Sequence, residues 1–223
     1  MAYLAARTVF FDSFVADEID RGVTQIIVVG AGYDARAWRF ARPGVTFYEV
    51  DHPATQAAKR KVAPPSSPAV DVRFVPADLV VDDVNSALLA AGFDTSAPCH
   101  VLVEGVTMYL DEEAVIALWH GLARVSAPGS TLSANFTGQG GGASSLLSAL
   151  VSAAVRMRWR QTGEATLHWA SRSRVEDLHG TTGWHLDSIE TGRELAARLE
   201  PETTLSERGV SEYVYNTIAT RTG

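Results

Sequence analysis

The chain has 223 residues, 46% hydrophobic and 20% charged, which suits one α/β domain with a sizeable core and leaves little room for a second. No apolar run reaches the roughly 18 residues that span a bilayer, and the Met1 to Arg7 start lacks the basic-then-apolar order of a secretory signal, so no membrane partner and a cytoplasmic location are expected. A formal charge of −7 argues against nucleic acid as a partner, and Cys99 as the sole cysteine excludes an intrachain disulfide and argues against a structural zinc site.

In chain order, Tyr3 to Arg21 places Leu4, Val9, Phe10, Phe14, Val15 and Ile19 near helical spacing, with Gly22 as a stop. Gln25 to Val29 is a short apolar run closing on Gly30, the pattern of a buried parallel strand. A short helix is expected from Ala35 to Ala41, then a strand from Val45 to Val50. His52-Pro53 starts a helix expected to carry Gln56, Lys59 and Arg60 outward. A third strand follows at Val70 to Val75, and Asp82 or Asp83 caps a helix through Leu89. His100 to Val103 is a fourth strand, Glu112 to Val125 a helix capped by Asp111, and Thr131 to Phe136 a fifth strand. Strand and helix therefore alternate five times before position 140, as in a doubly wound parallel sheet.

The remainder is less regular. Gly138 to Gly142 is a glycine cluster without the Gly-Lys-Ser/Thr ending of a phosphate loop, and reads as a hinge. Ala143 to Trp159 has the spacing of an amphipathic helix. Trp184 to Glu190 and Val210 to Thr217 alternate like strands, with a helix around Arg193 to Leu199 between them, and this pair could complete the sheet edge.

Chemistry concentrates where the first strand ends. Gly30-Ala31-Gly32 lies at a strand-to-helix turn, the position where open α/β sheets bind ligands. Its spacing to Ala35 also satisfies the dinucleotide fingerprint, so an NAD(P)-binding oxidoreductase is a rival reading. Asp34 sits inside that turn, where a carboxylate repels a pyrophosphate but suits an ammonium; it could equally cap a helix. Tyr48-Glu49-Val50-Asp51 places acids at the end of the second strand, where one can accept both hydroxyls of a ribose.

Four ordered segments then resemble one family. They are Val28 to Phe40 (VVGAGYDARAWRF), Phe47 to Pro53 (FYEVDHP), Val75 to Leu79 (VPADL) and Val103 to Leu110 (VEGVTMYL). Together they resemble the leucine carboxyl methyltransferase-like family of S-adenosylmethionine (SAM) dependent methyltransferases, over roughly Ala6 to Phe136 and weakly at Ser211-Glu212-Tyr213. The resemblance implies a Rossmann-like, mostly parallel seven-stranded sheet in a single domain over 1–223, with a helical lid insertion at about 138–183. It implies SAM as cofactor, with Gly30, Ala31 and Gly32 against the methionine part and Asp51 on the ribose. Asp78 and Leu79 would meet the adenine, Arg7 the SAM carboxylate, and Glu104 would lie near the sulfonium and the methionine amino group. Members of the family usually carry several dozen helical residues before the Ala-Arg-Thr segment. Here the chain starts almost at it, so a truncated N-terminal helical region is expected.

Methyl transfer needs alignment in a dry site more than it needs proton transfer. A carboxylate acceptor is already ionised, whereas a hydroxyl usually needs a base, for which His52, Tyr109 and His168 are candidates. Trp159, Trp169, Trp184, Met157 and Leu167 could line an apolar acceptor pocket or simply form core. No His-x-x-x-His pairing or Gly-x-Ser-x-Gly elbow occurs, so neither metal nor hydrolase chemistry is expected. The expected activity is O-methylation of a carboxylate or hydroxyl on a small-molecule or carrier-bound natural product, in a protein that could act as a homodimer. Besides the oxidoreductase, the alternatives are a non-catalytic SAM-binding homologue and one catalysing another reaction, such as a cyclisation.

Overall fold

The computed structural model describes residues 2–64, 69–137, 171–199 and 214–222. An inner strand, β1 (Gln25–Val29), is buried at every position, as expected of a parallel strand covered on both faces, and is apolar except for Gln25, whose side chain bonds the Asp94 backbone. Ile26 and Val28 point to one face and Ile27 and Val29 to the other, so successive residues feed two separate cores. On the first face lie α1 (Ala2–Asp20), through Phe10, Phe11 and Val15, and Ala37 of the one-turn helix α2 (Arg36–Arg39). On the second lie α4 (Val84–Ala90), α5 (Glu112–Val125) and α6 (Arg172–Thr182), meeting around Leu88, Leu118, Trp119 and Val175.

Five parallel strands run β3 (Asp71–Pro76), β2 (Thr46–Asp51), β1, β4 (His100–Val103) and β5 (Thr131–Thr137). Two more strands complete the order β3-β2-β1-β4-β5-β7-β6: β7 (Val214–Arg221) is antiparallel both to β5 and to the edge strand β6 (Trp184–Thr191), so β6 runs in the direction of the first five. Helix α7 (Gly192–Leu199) joins this end and packs on α1, so the seven-stranded doubly wound expectation holds. The strand order reverses between β1 and β4, which opens a crevice at the carboxyl ends of those two strands.

Caps account for the helix starts: Asp111 accepts from the Ala114 amide, Asp83 from Ser86, and Ser171 from Arg174. Several boundaries differ from the sequence reading. The last strand continues to Arg221 rather than ending at Thr217, and α2 shrinks to Arg36–Arg39. Residues 172–182, at the end of the expected lid, form α6, and its Val175 and His179 are buried against the second core. Trp184 is core as well, since it is 2% exposed and its indole donates to the Trp119 carbonyl at 3.4 Å. The expected Ala143 to Trp159 helix, the Gly138 to Gly142 hinge, His168, Trp159, Trp169, Met157, Leu167 and Ser211 to Tyr213 lie outside the described residues.

The largest correction concerns α3 (Pro53–Val62). Gln56 and Lys59 were expected to face outward, but both are buried. Gln56 donates from Nε2 to the Glu49 and Val75 carbonyls at 2.7 and 2.8 Å, tying α3 to β2 and β3. Lys59 follows because β2 buries Glu49: its ammonium lies 2.6 Å from Oε2 and 5.5 Å from the Trp38 ring centre. The contact is an ion pair without hydrogen-bond alignment. Burial raises the Glu49 carboxyl to about 7 against the lowering pull of Lys59.

A folded-state value above the ordinary 4.5 means that the contribution of Glu49 to stability is full below that value and is lost as pH rises through about 7. Removing Lys59 strands the charge, so Lys59→Met should cost on the order of 3–5 kcal/mol at about pH 8. Near pH 5 the deficit should shrink, because Glu49 is then neutral. Glu49→Leu/Lys59→Met should recover most of the loss, and urea unfolding across pH reads all three; a pH-independent deficit contradicts the pairing. Gly30 offers a second test, since it sits at φ +61° and a Cβ there would lie 2.5 Å from Val106 Cγ2. Gly30→Ala should destabilise by about 1–2 kcal/mol from the left-handed backbone and by about 1–3 kcal/mol from the clash. Adding Val106→Ala should remove only the second part.

Candidate functional site

Strand register assembles the site. Val29 pairs with Val50 on one side and Val103 on the other. The next residues along these strands are Gly30, Asp51 and Glu104, so two carboxylates flank the glycine turn at one level of the sheet. Asp51 pairs with Pro76 in turn, which places Asp78 two residues beyond the neighbouring strand end. Four expected residues are thus brought to one edge by the ladder alone.

The turn is internally bonded. Gly32, with φ +42°, donates its amide to Asp51 Oδ2 at 2.5 Å, while Asp51 Oδ1 accepts from the His52 amide at 2.6 Å. Ala31 donates to the Val50 carbonyl, and Asp34 donates to that of Ala31. The Asp34 carboxylate accepts from the Arg36 amide at 2.7 Å, starting α2. Ala31 is buried and Leu79 is partly buried against the second core. Asp78 accepts from the Val80 amide at 3.0 Å, and the Asp78 amide donates to Asp82, so its carboxylate ends a tight bend at the third strand.

Electrostatics dominate the other side of the turn. Arg7, from α1, donates through Nε to Glu104 Oε1 at 2.8 Å. Arg36 Nη1 lies 2.8 Å from Glu104 Oε2 and 2.6 Å from Asp34 Oδ2, while its Nε donates to Asp12 Oδ1 at 2.7 Å. Arg39 pairs with the same Asp12. Burial lowers the Arg36 value, but Asp34, Glu104 and Asp12 outweigh it and hold the guanidinium above its ordinary range. Three arginines and three carboxylates therefore balance in one cluster.

Most of this cluster lines a cavity of about 340 Å³ together with Thr8, Val28, Gly30, Gly32, Tyr33 and Leu102. Sequence reasoning found Arg7, Asp34 and Glu104 but missed Arg36, Arg39 and Asp12. Asn135 was also missed; it is buried on β5, accepts from the Gly105 amide at 2.7 Å through Oδ1, and accepts Thr107 Oγ1 at its carbonyl. It anchors the loop that follows Glu104. The only sequence signal for Arg36 was its place at the start of the helix after the turn.

The two candidate bases among the described residues do not line this cavity. His52 is exposed and caps α3, with Nδ1 accepting from the Ala54 amide at 3.2 Å. Tyr109 is 40% exposed on the short 3₁₀ turn Thr107–Tyr109, beyond Glu104. Among the described residues no group of His, Cys, Asp and Glu has metal-holding geometry, and no helix is long and apolar enough to cross a membrane.

Comparison with known proteins follows this geometry. The family profile described as leucine carboxyl methyltransferase matches residues 1–123. A protein of Mycobacterium sp. (strain JLS), named "Putative S-adenosyl-L-methionine-dependent methyltransferase", is 36% identical over 194 residues, which is 83% of this chain and 63% of that protein. The chain thus spans less than two thirds of the length of that relative. Two solved structures share the fold. A DUF574 family protein from Streptomyces avermitilis superposes with TM-score 0.70 at 14% identity, over 97% of this chain and 83% of the other. Magnesium protoporphyrin IX methyltransferase from Synechocystis PCC 6803, solved with bound SAH, gives TM-score 0.58 at 14% identity, over 98% and 84%. The glycine turn, its flanking carboxylates and the profile match agree, and the chain belongs to the leucine carboxyl methyltransferase family.

Proposed function

We propose that this chain binds S-adenosylmethionine across the carboxyl ends of β3, β2, β1 and β4 and catalyses methyl transfer to oxygen. The acceptor is a carboxylate or hydroxyl of a small or carrier-bound natural product. One observation carries the choice of cofactor: the Gly32 amide is already taken by Asp51. In a dinucleotide site, such turn amides and a following helix N-terminus hold the pyrophosphate. Here the amides of Ala31, Gly32, Asp34 and Arg36 are spent within the protein, and the following helix is a single turn.

The residues suit a nucleoside that carries an amino acid. Asp51 keeps lone pairs for two ribose hydroxyls, and Asp78, two residues past the next strand, can accept from an exocyclic amine. Arg7 and Glu104 offer opposite charges to the carboxylate and ammonium of the methionine end, and Gly30 lets the backbone come close. When bound, SAM supplies a sulfonium-activated methyl group as the electrophile. The protein then has to hold the acceptor oxygen in line behind that carbon and keep water out. An ionised carboxylate acceptor requires no base, which fits the exposed positions of His52 and Tyr109.

Calorimetry with S-adenosylhomocysteine and with NADH tests this reading; the expected result is binding of the first and none of the second, and the reverse would sink it. Asp51→Asn and Asp78→Ala should each weaken S-adenosylhomocysteine by about 1–3 kcal/mol through lost hydrogen bonds. Unchanged affinity in both folded variants would remove these residues from the site. Incubation with labelled SAM and a panel of carboxylic and phenolic acceptors then checks for transfer to oxygen; tight binding with no product from any acceptor would favour a non-catalytic role.

A further inference from the structure

Resting on the SAM reading above, we infer that Arg36 is a positioning residue that holds Glu104 in place while Arg7 leaves it for the ligand. The two oxygens of Glu104 are divided between two arginines: Oε1 faces Arg7 Nε and Oε2 faces Arg36 Nη1, both at 2.8 Å. The arginines differ in freedom. The Arg7 side chain is 27% exposed and pairs, among the described residues, with Glu104, whereas Arg36 is 6% exposed and also contacts Asp34 and Asp12. A ligand with both an ammonium and a carboxylate can take the place of the Arg7–Glu104 pair by meeting each half. Its carboxylate draws Arg7 away, and its ammonium replaces Arg7 at Oε1.

During that exchange, Glu104 is 13% exposed and would otherwise be left without a cation. Arg36 prevents this through Oε2. Its planar fork reaches α1 by Asp12, the turn by Asp34 and β4 by Glu104 at once, an arrangement that a single ammonium cannot reproduce. The consequence is confined to the amino-acid end of the ligand. The adenine and ribose meet Asp78 and Asp51, neither of which is recorded in contact with Arg36.

The test uses the full chain, titrated calorimetrically with S-adenosylhomocysteine and with 5′-methylthioadenosine, which keeps the nucleoside and sulfur but lacks the amino acid. Arg36→Met should weaken S-adenosylhomocysteine about tenfold or more, as expected for loss of a charge-assisted contact, and leave methylthioadenosine unchanged. Arg36→Lys should fold and fall between wild type and Arg36→Met on the first ligand only; it carries the test if Arg36→Met does not fold. Equal losses on both ligands would make Arg36 a general structural residue and overturn the inference, as would wild-type affinity for S-adenosylhomocysteine in Arg36→Lys. Wild-type protein that binds neither ligand would overturn the cofactor reading, and this inference with it.

Discussion

Everything at the site depends on the register in which β1 pairs with its two neighbours. Because Val29 lies opposite both Val50 and Val103, the residues that follow come out level as Gly30, Asp51 and Glu104. A slip of one residue in a parallel ladder would turn each side chain to the other face of the sheet. Here both faces are buried and apolar, so polarity alternation within β1 cannot set the register. The neighbours supply it instead: Glu49 must meet Lys59, Tyr48 must reach the Gly92 carbonyl, and Gly30 must clear Val106.

The same constraint explains why so much charge is tolerated close to the core. Arg36 and Glu49 are 5% and 1% exposed, and neither could be buried alone. Each is matched by opposite charge from a different element, so desolvation is offset only when the elements dock correctly. Arg36 needs Asp12 from α1, and Glu49 needs Lys59 from α3. A second polar tie holds α1 lower down. His100 on β4 is fully buried between Thr131 and Ser133, and Thr131 in turn donates to Glu18 of α1. Burial pushes the imidazole down to about 3, so it stays neutral and serves as a hydrogen-bonding spacer under α1.

How far the sequence could be read follows from these ties. Strands β1 and β4 were legible as short apolar runs, and β2, β3 and β5 as short segments set between turn residues. Asp34 and Asp51 were legible because strand ends are where α/β sheets place ligands, and Asp78 and Glu104 through the family resemblance of the segments that carry them. Gln56 and Lys59 were not, because burial of a polar side chain depends on partners from distant segments rather than on its own spacing. Nothing within Pro53 to Val62 signals that Glu49 and the Val75 carbonyl lie beneath it. Arg36 and Asp12 were hidden for the same reason, being twenty-four positions apart and joined only once α1 docks. The placement of β7 inside the sheet, between β5 and β6, is likewise a matter of topology and not of local pattern.

Asp34 shows how local reasoning can reach a sound conclusion through an incomplete cause. From the sequence, its carboxylate argued against phosphate by repulsion. In the folded chain that charge is offset by Arg36, and the wall of the cavity carries Arg7 and Arg39 besides. Simple repulsion therefore loses most of its force. What disfavours a pyrophosphate is the loss of donors: an anion held at a glycine turn needs free amides, and those of Ala31, Gly32, Asp34 and Arg36 are already bonded within the protein. Displacing Asp51 from Gly32 would release one donor but turn a carboxylate toward the incoming anion. Four amides of the turn are thus committed within the protein, and the one held by Asp51 argues against a bound phosphate more strongly than the charge of Asp34 does.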